Sequence, residues 1–340
     1  MYFLLLHQKM EKNYQGIEKE INERRNKIKS YLNNLLNEIS FYSEKLKEAG
    51  EWYFKNGGKL LRPLLYLFGC DEVGENYQND RHLKNAAALE MIHVSTLVHD
   101  DIIDKSSLRR GKSTVHKKFG HDMGILCGDV LFSYAVSITR PQNTMKELCR
   151  LYNTICDGQA LEMQLSEKIL KEKVDPQKIY DEYLNMISLK TAEFFGVALS
   201  LSAKKSKKKK LLYYIGKEIG KAFQMADDIH DILYTHQKWR EDFASDLKEN
   251  KPTILYVLAK KEGIDILEIY KERKRNHRNH VKAARDVYRL LKEKKIIDNA
   301  IDNMESFLLK AEEKIDNLEN QTIKMFLAYL NKKIKDSVKM

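Results

Sequence analysis

Along most of the chain, apolar side chains return every three or four positions with polar ones between them. That is the period of a helix lying against a core. Residues 86–104, "AAALEMIHVSTLVHDDIID", hold neither Gly nor Pro and predict one long, largely buried helix. Residues 211–234, "LLYYIGKEIGKAFQMADDIHDILY", predict a second. Residues 11–50 read as charged helix ending at Gly50, and "NGGKLLRP" (56–63) as a loop feeding an apolar helix. A polar loop is expected over 70–80, a connector over 109–122, and "GDVLFSYAVSI" opens the next helix. Helical patterns continue to about residue 202, where the lysine-rich stretch 204–210 interrupts them. After a polar loop reaching Pro252, amphipathic helices run to the C-terminus. No alternating β-branched runs bounded by turns are present, which speaks against strands. The expectation is an all-α chain. With no solenoid-type repeat and no Pro/Gly/Ser-rich linker, residues 1–340 read as a single domain, with 1–25 as an undiagnostic N-terminal extension.

Composition supports the helical reading, since Gly (15) and Pro (4) together occupy few of the 340 positions. The net charge of +11 suits an anionic ligand: nucleic acid, anionic lipid or a phosphorylated substrate. Two basic stretches, "KKSKKKK" (204–210) and "KERKRNHRNH" (271–280), lack interleaved aromatics, so they read as solvated surface rather than a stacking platform for bases. Either could touch an anionic membrane surface. Cys70, Cys127, Cys149 and Cys156 show no C-x-x-C spacing and read as reduced thiols of a cytoplasmic protein. "MYFLLLHQKM" has neither the basic start nor the small-residue cleavage site of a signal peptide, and Met10 is an alternative start. No apolar run reaches transmembrane length.

The candidate chemistry lies in two matching clusters. "DDIID" (100–104) and "DDIHD" (227–231) are both D-D-x-x-D, each embedded in apolar helix. Residues i and i+4 share a helix face, so Asp100 projects with Asp104 and Asp227 with Asp231. Acids in such surroundings need cations or paired bases to stay ionised. Oxygen-only ligand sets suit Mg²⁺, which is usually completed by water and phosphate oxygens. Two such clusters would hold a multi-ion cluster around a diphosphate. Basic residues fit the same ligand. Lys59 and Arg62 follow a Gly-Gly turn where backbone can approach phosphate, and Arg109 and Arg110 offer planar forks. His93, seven residues before Asp100, lies two turns up the same face and could donate to a second phosphate.

These residues resemble the trans-isoprenyl diphosphate synthase family, the head-to-tail polyprenyl synthases. The resemblance spans residue 57 to about 335 through blocks in a fixed order. They are "GGKLLRP", "EMIHVSTLVHDDIID", "LRRGKSTVHKKFG", "GDVLF", "GQ" at 158–159, "KTAEFF", "GKAFQMADDIHD" and "SDLKENKPTI". It implies a helical bundle around a deep central cavity, usually a homodimer. It implies Mg²⁺ at Asp100, Asp104 and Asp227, supported by Asp101, Asp228 and Asp231. Lys59, Arg62, His93 and Arg110 would bind isopentenyl diphosphate. Arg109, Lys190 and Lys251 would bind the allylic diphosphate, and Lys190, Thr191 and Gln224 would stabilise the developing carbocation. Leu60 stands where the family usually has a basic residue, and Asn250 where it usually has Gly.

In such enzymes product length depends on what plugs the tunnel below the first cluster. Short-chain members carry an aromatic residue four or five positions before it; here those positions are Thr96 and Ser95, with Ile92 and Ala88 on the next turns. The expectation is a product of C20 or longer, shortened by Ser95→Phe. The alternatives are a class I terpene cyclase and a non-catalytic subunit of a heteromeric prenyl synthase. A nucleic-acid-binding helical protein is disfavoured by the acidic clusters.

Overall fold

The computed structural model describes every residue except 1, 40, 56, 172–174, 205–206, 234–242 and 340, and for 2–13 and 171 the backbone alone. The helices are α1 (Tyr2–Glu38), α2 (Glu44–Lys55), α3 (Leu61–Glu72), α4 (Asp80–Ile103), α5 (Val115–Phe119), α6 (His121–Ile138), α7 (Gln142–Lys171) and α8 (Pro176–Ile187). After a π-helical turn at Ser188–Ala192 come α9 (Glu193–Ser200), α10 (Lys207–Ile232), α11 (Ser245–Glu249), α12 (Ile254–Lys261), α13 (Ile266–His277), α14 (His280–Glu293), α15 (Ile296–Ile315) and α16 (Gln321–Ser337). Between α4 and α5, the two-residue strands β1 (Leu108–Arg109) and β2 (Lys112–Ser113) pair antiparallel. They are the only strands among the described residues, so the fold is all-α as expected. No helix is long and apolar enough to cross a membrane, among the described residues.

The chain forms two compact units. The first comprises Met1–Tyr152, Val197–Leu212 and Leu318–Tyr329; the second comprises Asn153–Gly196, Tyr213–Asn317 and Leu330–Met340.

In the first unit α4 is buried on most sides, as its nearly unbroken apolar sequence requires, and it packs closely on α6. Phe68 of α3 stacks on Phe326 at 3.9 Å between centroids. Each ring fully buried contributes roughly 1.5–3 kcal/mol. Arg24 of α1 is buried with them. It donates to the Leu67 carbonyl at 2.8 Å, pairs with Asp71 at 2.8 Å, and lies 4.0 Å from the Phe68 and Tyr77 ring centres. With Ile17, Ile21, Ile28 and Leu32 also buried, α1 is part of the core from residue 17 onward.

In the second unit α12 packs on α8 and α15, around the buried Tyr183 and Tyr256. The side chain of Thr253 caps α12 by accepting from the Tyr256 N–H at 3.2 Å.

Three boundaries differ from the sequence reading, and the first is α6, which begins at His121 rather than at Gly128. Gly50 lies inside α2, where the Phe41 ring covers it, rather than ending a helix. The lysine stretch is not all loop. α10 begins at Lys207, and Lys208 and Lys209 reach Glu319 and Glu147 at 2.7 Å each.

Candidate active site

The first acidic cluster closes α4. Asp100 and Asp104 are half-buried on one face, while Asp101 turns inward and is only 1% exposed. Asp101 accepts Arg109 Nε at 2.8 Å and Nη2 at 2.7 Å, and the Tyr53 hydroxyl closes on its other oxygen. The cluster therefore presents two carboxylates outward and spends the third on holding Arg109. The hairpin explains why the motif is Arg-Arg-Gly. Its two-residue turn puts Arg110 at φ 54° and Gly111 at φ 75°, the geometry that matches strand twist. Glycine adopts it freely. Arg110 is held there by donating to the Gly57 carbonyl, so hairpin and Gly-Gly turn are tied together.

Arg62 donates to His93 Nε2 at 3.0 Å. Burial, reinforced by Arg62, Arg109 and Arg110, holds His93 well below the usual imidazole range, so the ring is neutral and Nε2 accepts. Three residues before it, Glu90 is buried, and its Oε2 has no hydrogen-bond partner. Burial pushes this carboxyl up to about 7, against the pull of Arg62 and Arg110. A folded-state value above the unfolded one makes the protonated form the stabilising one. That contribution is complete below about pH 4.5 and is lost as pH rises to about 7, a loss of about 3 kcal/mol at most. Glu90→Gln is therefore expected to raise Tm at pH 8 and to change it little at pH 4.5. Thermal scans at the two pH values check this.

The second cluster, in the second unit, repeats the arrangement only for its first two aspartates. Asp227 is exposed. Asp228 is buried and accepts from the Tyr183 hydroxyl at 2.7 Å, Gln224 Nε2 at 2.9 Å and the Ile254 N–H at 3.0 Å. Thr191 Oγ1 in turn donates to Gln224 Oε1 at 2.7 Å. Asp231 caps α11, accepting from Ser245 N–H (3.1 Å), Ser245 Oγ (2.9 Å) and Asp246 N–H (3.0 Å). Burial pushes the carboxyls of Asp228, Asp231 and Asp246 upward, and neighbouring aspartates, Asp227 among them, push further. Acids so crowded fit a divalent cation. Among the described residues, no group of three or more His, Cys, Asp or Glu side chains is placed to hold a metal ion.

Lys190 and Thr191 sit on the π-helical turn, a distortion often found at functional sites. Gly158 makes room for it: a Cβ there would lie 2.4 Å from the Lys190 backbone nitrogen. Glu162, one turn further along α7, grips the Lys190 ammonium. Lys251 pairs with Glu249 at 2.9 Å. Both departures from the family pattern fall on left-handed backbone. Asn250 is at φ 58°, which Asn tolerates almost as Gly does, and Leu60 is at φ 50°.

Ser95 is completely buried, and its Oγ donates to the Gly128 carbonyl of α6 at 2.8 Å, so it faces a packed helix. Ile92 and Ala88 are likewise fully buried. Thr96 is half-buried, its Oγ1 bonded back to the His93 carbonyl at 2.8 Å.

Residues 43–288 match the model of the polyprenyl synthetase family. The chain belongs to that family. A geranylgeranyl pyrophosphate synthase of Geoglobus acetivorans is 35% identical over 262 residues, covering 74% of this chain and 78% of the relative. Octaprenyl diphosphate synthase of Escherichia coli K12 is 29% identical, covering 67% and 70%. Among solved structures, the Geoglobus acetivorans synthetase superposes with a TM-score of 0.79 at 28% identity, over 93% of this chain and 99% of that one. Polyprenyl synthase of Caulobacter crescentus CB15, complexed with calcium and isoprenyl diphosphate, gives a TM-score of 0.76 at 26% identity, over 98% and 96%.

Tyr53, Tyr183 and Glu162 contact Asp101, Asp228 and Lys190, and Glu90 interacts with Arg62 and Arg110; the sequence reading named none of these four. Glu90 and Glu162 carried a signal: one stands three residues before His93, the other four after Gly158, each on the same helix face. The tyrosines carried none.

Proposed function

We propose that the chain is a trans-prenyltransferase that adds isopentenyl diphosphate head to tail to an allylic diphosphate, giving a product of C20 or longer. The observation that carries this is the repeated design of the two clusters in a polyprenyl synthetase chain. Each D-D-x-x-D presents its first aspartate outward and locks its second on a tyrosine hydroxyl.

Asp100 and Asp104 in the first cluster, and Asp227 in the second, would hold magnesium, which would supply Lewis-acid neutralisation of the allylic diphosphate leaving group. Asp101 and Asp228 act as positioning residues, through Arg109 and through Gln224. Asp231 orders the segment before Lys251. Arg109, Lys190 and Lys251 bind the allylic diphosphate; Lys59, Arg62, His93 and Arg110 bind the isopentenyl diphosphate. The linked amide of Gln224, hydroxyl of Thr191 and backbone of Lys190 offer fixed dipoles to the allylic cation. The isopentenyl alkene attacks that cation, and loss of a proton restores an allylic product. The reading takes the whole chain as one catalytic domain, a homodimer in the cytoplasm, with long products bringing it to a membrane surface.

The prenyl-length reading now rests on Thr96, on the Asp100 face of α4. Thr96→Phe is expected to shorten the product. Ser95→Phe is expected instead to lower Tm, because the ring would have to displace α6. Product analysis and thermal scans of both variants separate the two. A terpene cyclase would convert a preformed prenyl diphosphate without isopentenyl diphosphate, and a non-catalytic subunit would convert nothing alone. Incubation of allylic primers with and without isopentenyl diphosphate distinguishes these from elongation, which needs both.

A further inference from the structure

The stretch before residue 43, outside the family match, carries a polar stripe that the mechanism above does not use. Arg25 and Lys29 lie one turn apart on α1, flanked by Asn22, Asn26 and Asn33 on the same side. Like charges at i and i+4 repel, so a helix that keeps such a pair gains nothing from it without an anion nearby. Neither residue is ion-paired to a carboxylate among the described residues; Arg25 donates to Asn22 Oδ1 at 2.7 Å and toward the Lys59 carbonyl at 3.4 Å.

Both line a pocket whose other walls are the Gly57–Gly58 turn, Leu60 and the arginines of the hairpin. Its charged residues are the cations Arg25, Lys29, Arg109 and Arg110 against one carboxylate, Glu90. Tyr53, Val94 and Leu97 complete an apolar wall. A basic rim over an apolar wall suits a short isoprenoid carrying phosphate. Glu90, more than nine-tenths buried, has an unpartnered oxygen here. Gly58 is the closest approach: a Cβ there would lie 3.1 Å from Arg110 Nη1 and 3.6 Å from Glu90 Oε1. The pocket thus shares its Gly-Gly turn and Arg110 with the proposed isopentenyl diphosphate site. On the same edge stands Leu60, the position where the family usually offers a basic residue.

We infer that Arg25 and Lys29 of α1 belong to the isopentenyl diphosphate site and supply, from outside the residues that match the family, the positive charge that Leu60 withholds. This rests on the proposed function. Arg25 also fixes the Gly-Gly-Lys turn through the Lys59 carbonyl, whereas Lys29 acts on the ligand's charge alone.

The test uses the full chain carrying Lys29→Ala, Lys29→Glu or Arg25→Ala with Lys29→Ala. Lys27→Ala is the control, since its ammonium bonds Gln78 at 2.9 Å and does not line the pocket. Steady-state kinetics with each substrate varied in turn is expected to show the KM for isopentenyl diphosphate raised about tenfold by Lys29→Ala, and further by the other two. The KM for the allylic diphosphate and the control variant should be unchanged. Titration calorimetry with inorganic pyrophosphate in metal-free buffer should show the same order of weakening. An active wild type with an unchanged isopentenyl diphosphate KM in the double and charge-reversed variants overturns the inference. A wild type that transfers no prenyl group defeats the function reading instead. The pyrophosphate titration then decides the inference alone, and equal affinity in wild type and Lys29→Glu overturns it.

Discussion

Asp100→Asn is expected to lower kcat about a thousandfold while leaving Tm almost unchanged. The carboxylate is half-buried at the end of α4, on the face it shares with Asp104. On the proposed function, removing its charge would take one anionic ligand from the cation that neutralises the leaving group. Lewis-acid stabilisation of that kind is worth several kcal/mol, and about 4 kcal/mol corresponds to a thousandfold in rate. A near-isosteric change at a partly exposed helix end typically shifts stability by no more than about 0.5 kcal/mol. Single-turnover rates and a thermal scan on the same preparation check both halves. Asp227→Asn, the exposed first residue of the other cluster, is expected to behave alike.

Asp101→Ala, one residue along, is expected to fail in a different way. Asp101 is 1% exposed and accepts two bonds from Arg109 and one from Tyr53. Its removal strands a guanidinium and a phenol that have few other partners. Breaking one side of a buried pair costs about 3–5 kcal/mol. The Arg109 side chain keeps 30% exposure and so recovers some hydration, which places the cost near the lower end. A loss of about 3 kcal/mol lowers Tm by roughly 4 °C in a chain of this size. The allylic KM should also rise, because Arg109 loses the anchor that aims it. Equal Tm for Asp100→Asn and Asp101→Ala would show that the inward and outward roles are wrongly assigned.

The contrast between these adjacent aspartates shows where sequence reading stops. The D-D-x-x-D spacing reveals that Asp100 and Asp104 share a face, because helical period alone decides it. It also places Asp101 on another face, but what waits there is Tyr53, 48 residues upstream, and only tertiary packing brings it in. The helical class and the long helices around both clusters were legible for the same local reason. The hairpin was not, because two-residue strands carry no alternation to detect. Its Arg110–Gly111 turn is nevertheless a recognisable positive-φ pair once paired strands flank it. The surroundings of Ser95 were not legible, because a small side chain near a tunnel and a small side chain under a neighbouring helix look identical in sequence; the structure sets it against the α6 backbone at Gly128. The role of α1 was hidden because its cations and asparagines form a plain solvated stripe until Leu60 and the Gly-Gly turn are set beside them.

The most direct test is condensation itself. The purified chain is incubated with Mg²⁺, labelled isopentenyl diphosphate and a series of allylic diphosphate primers, and the chain length of the products is measured. The account predicts Mg²⁺-dependent elongation of at least one primer to C20 or beyond. Failure to incorporate isopentenyl diphosphate with every primer would contradict it.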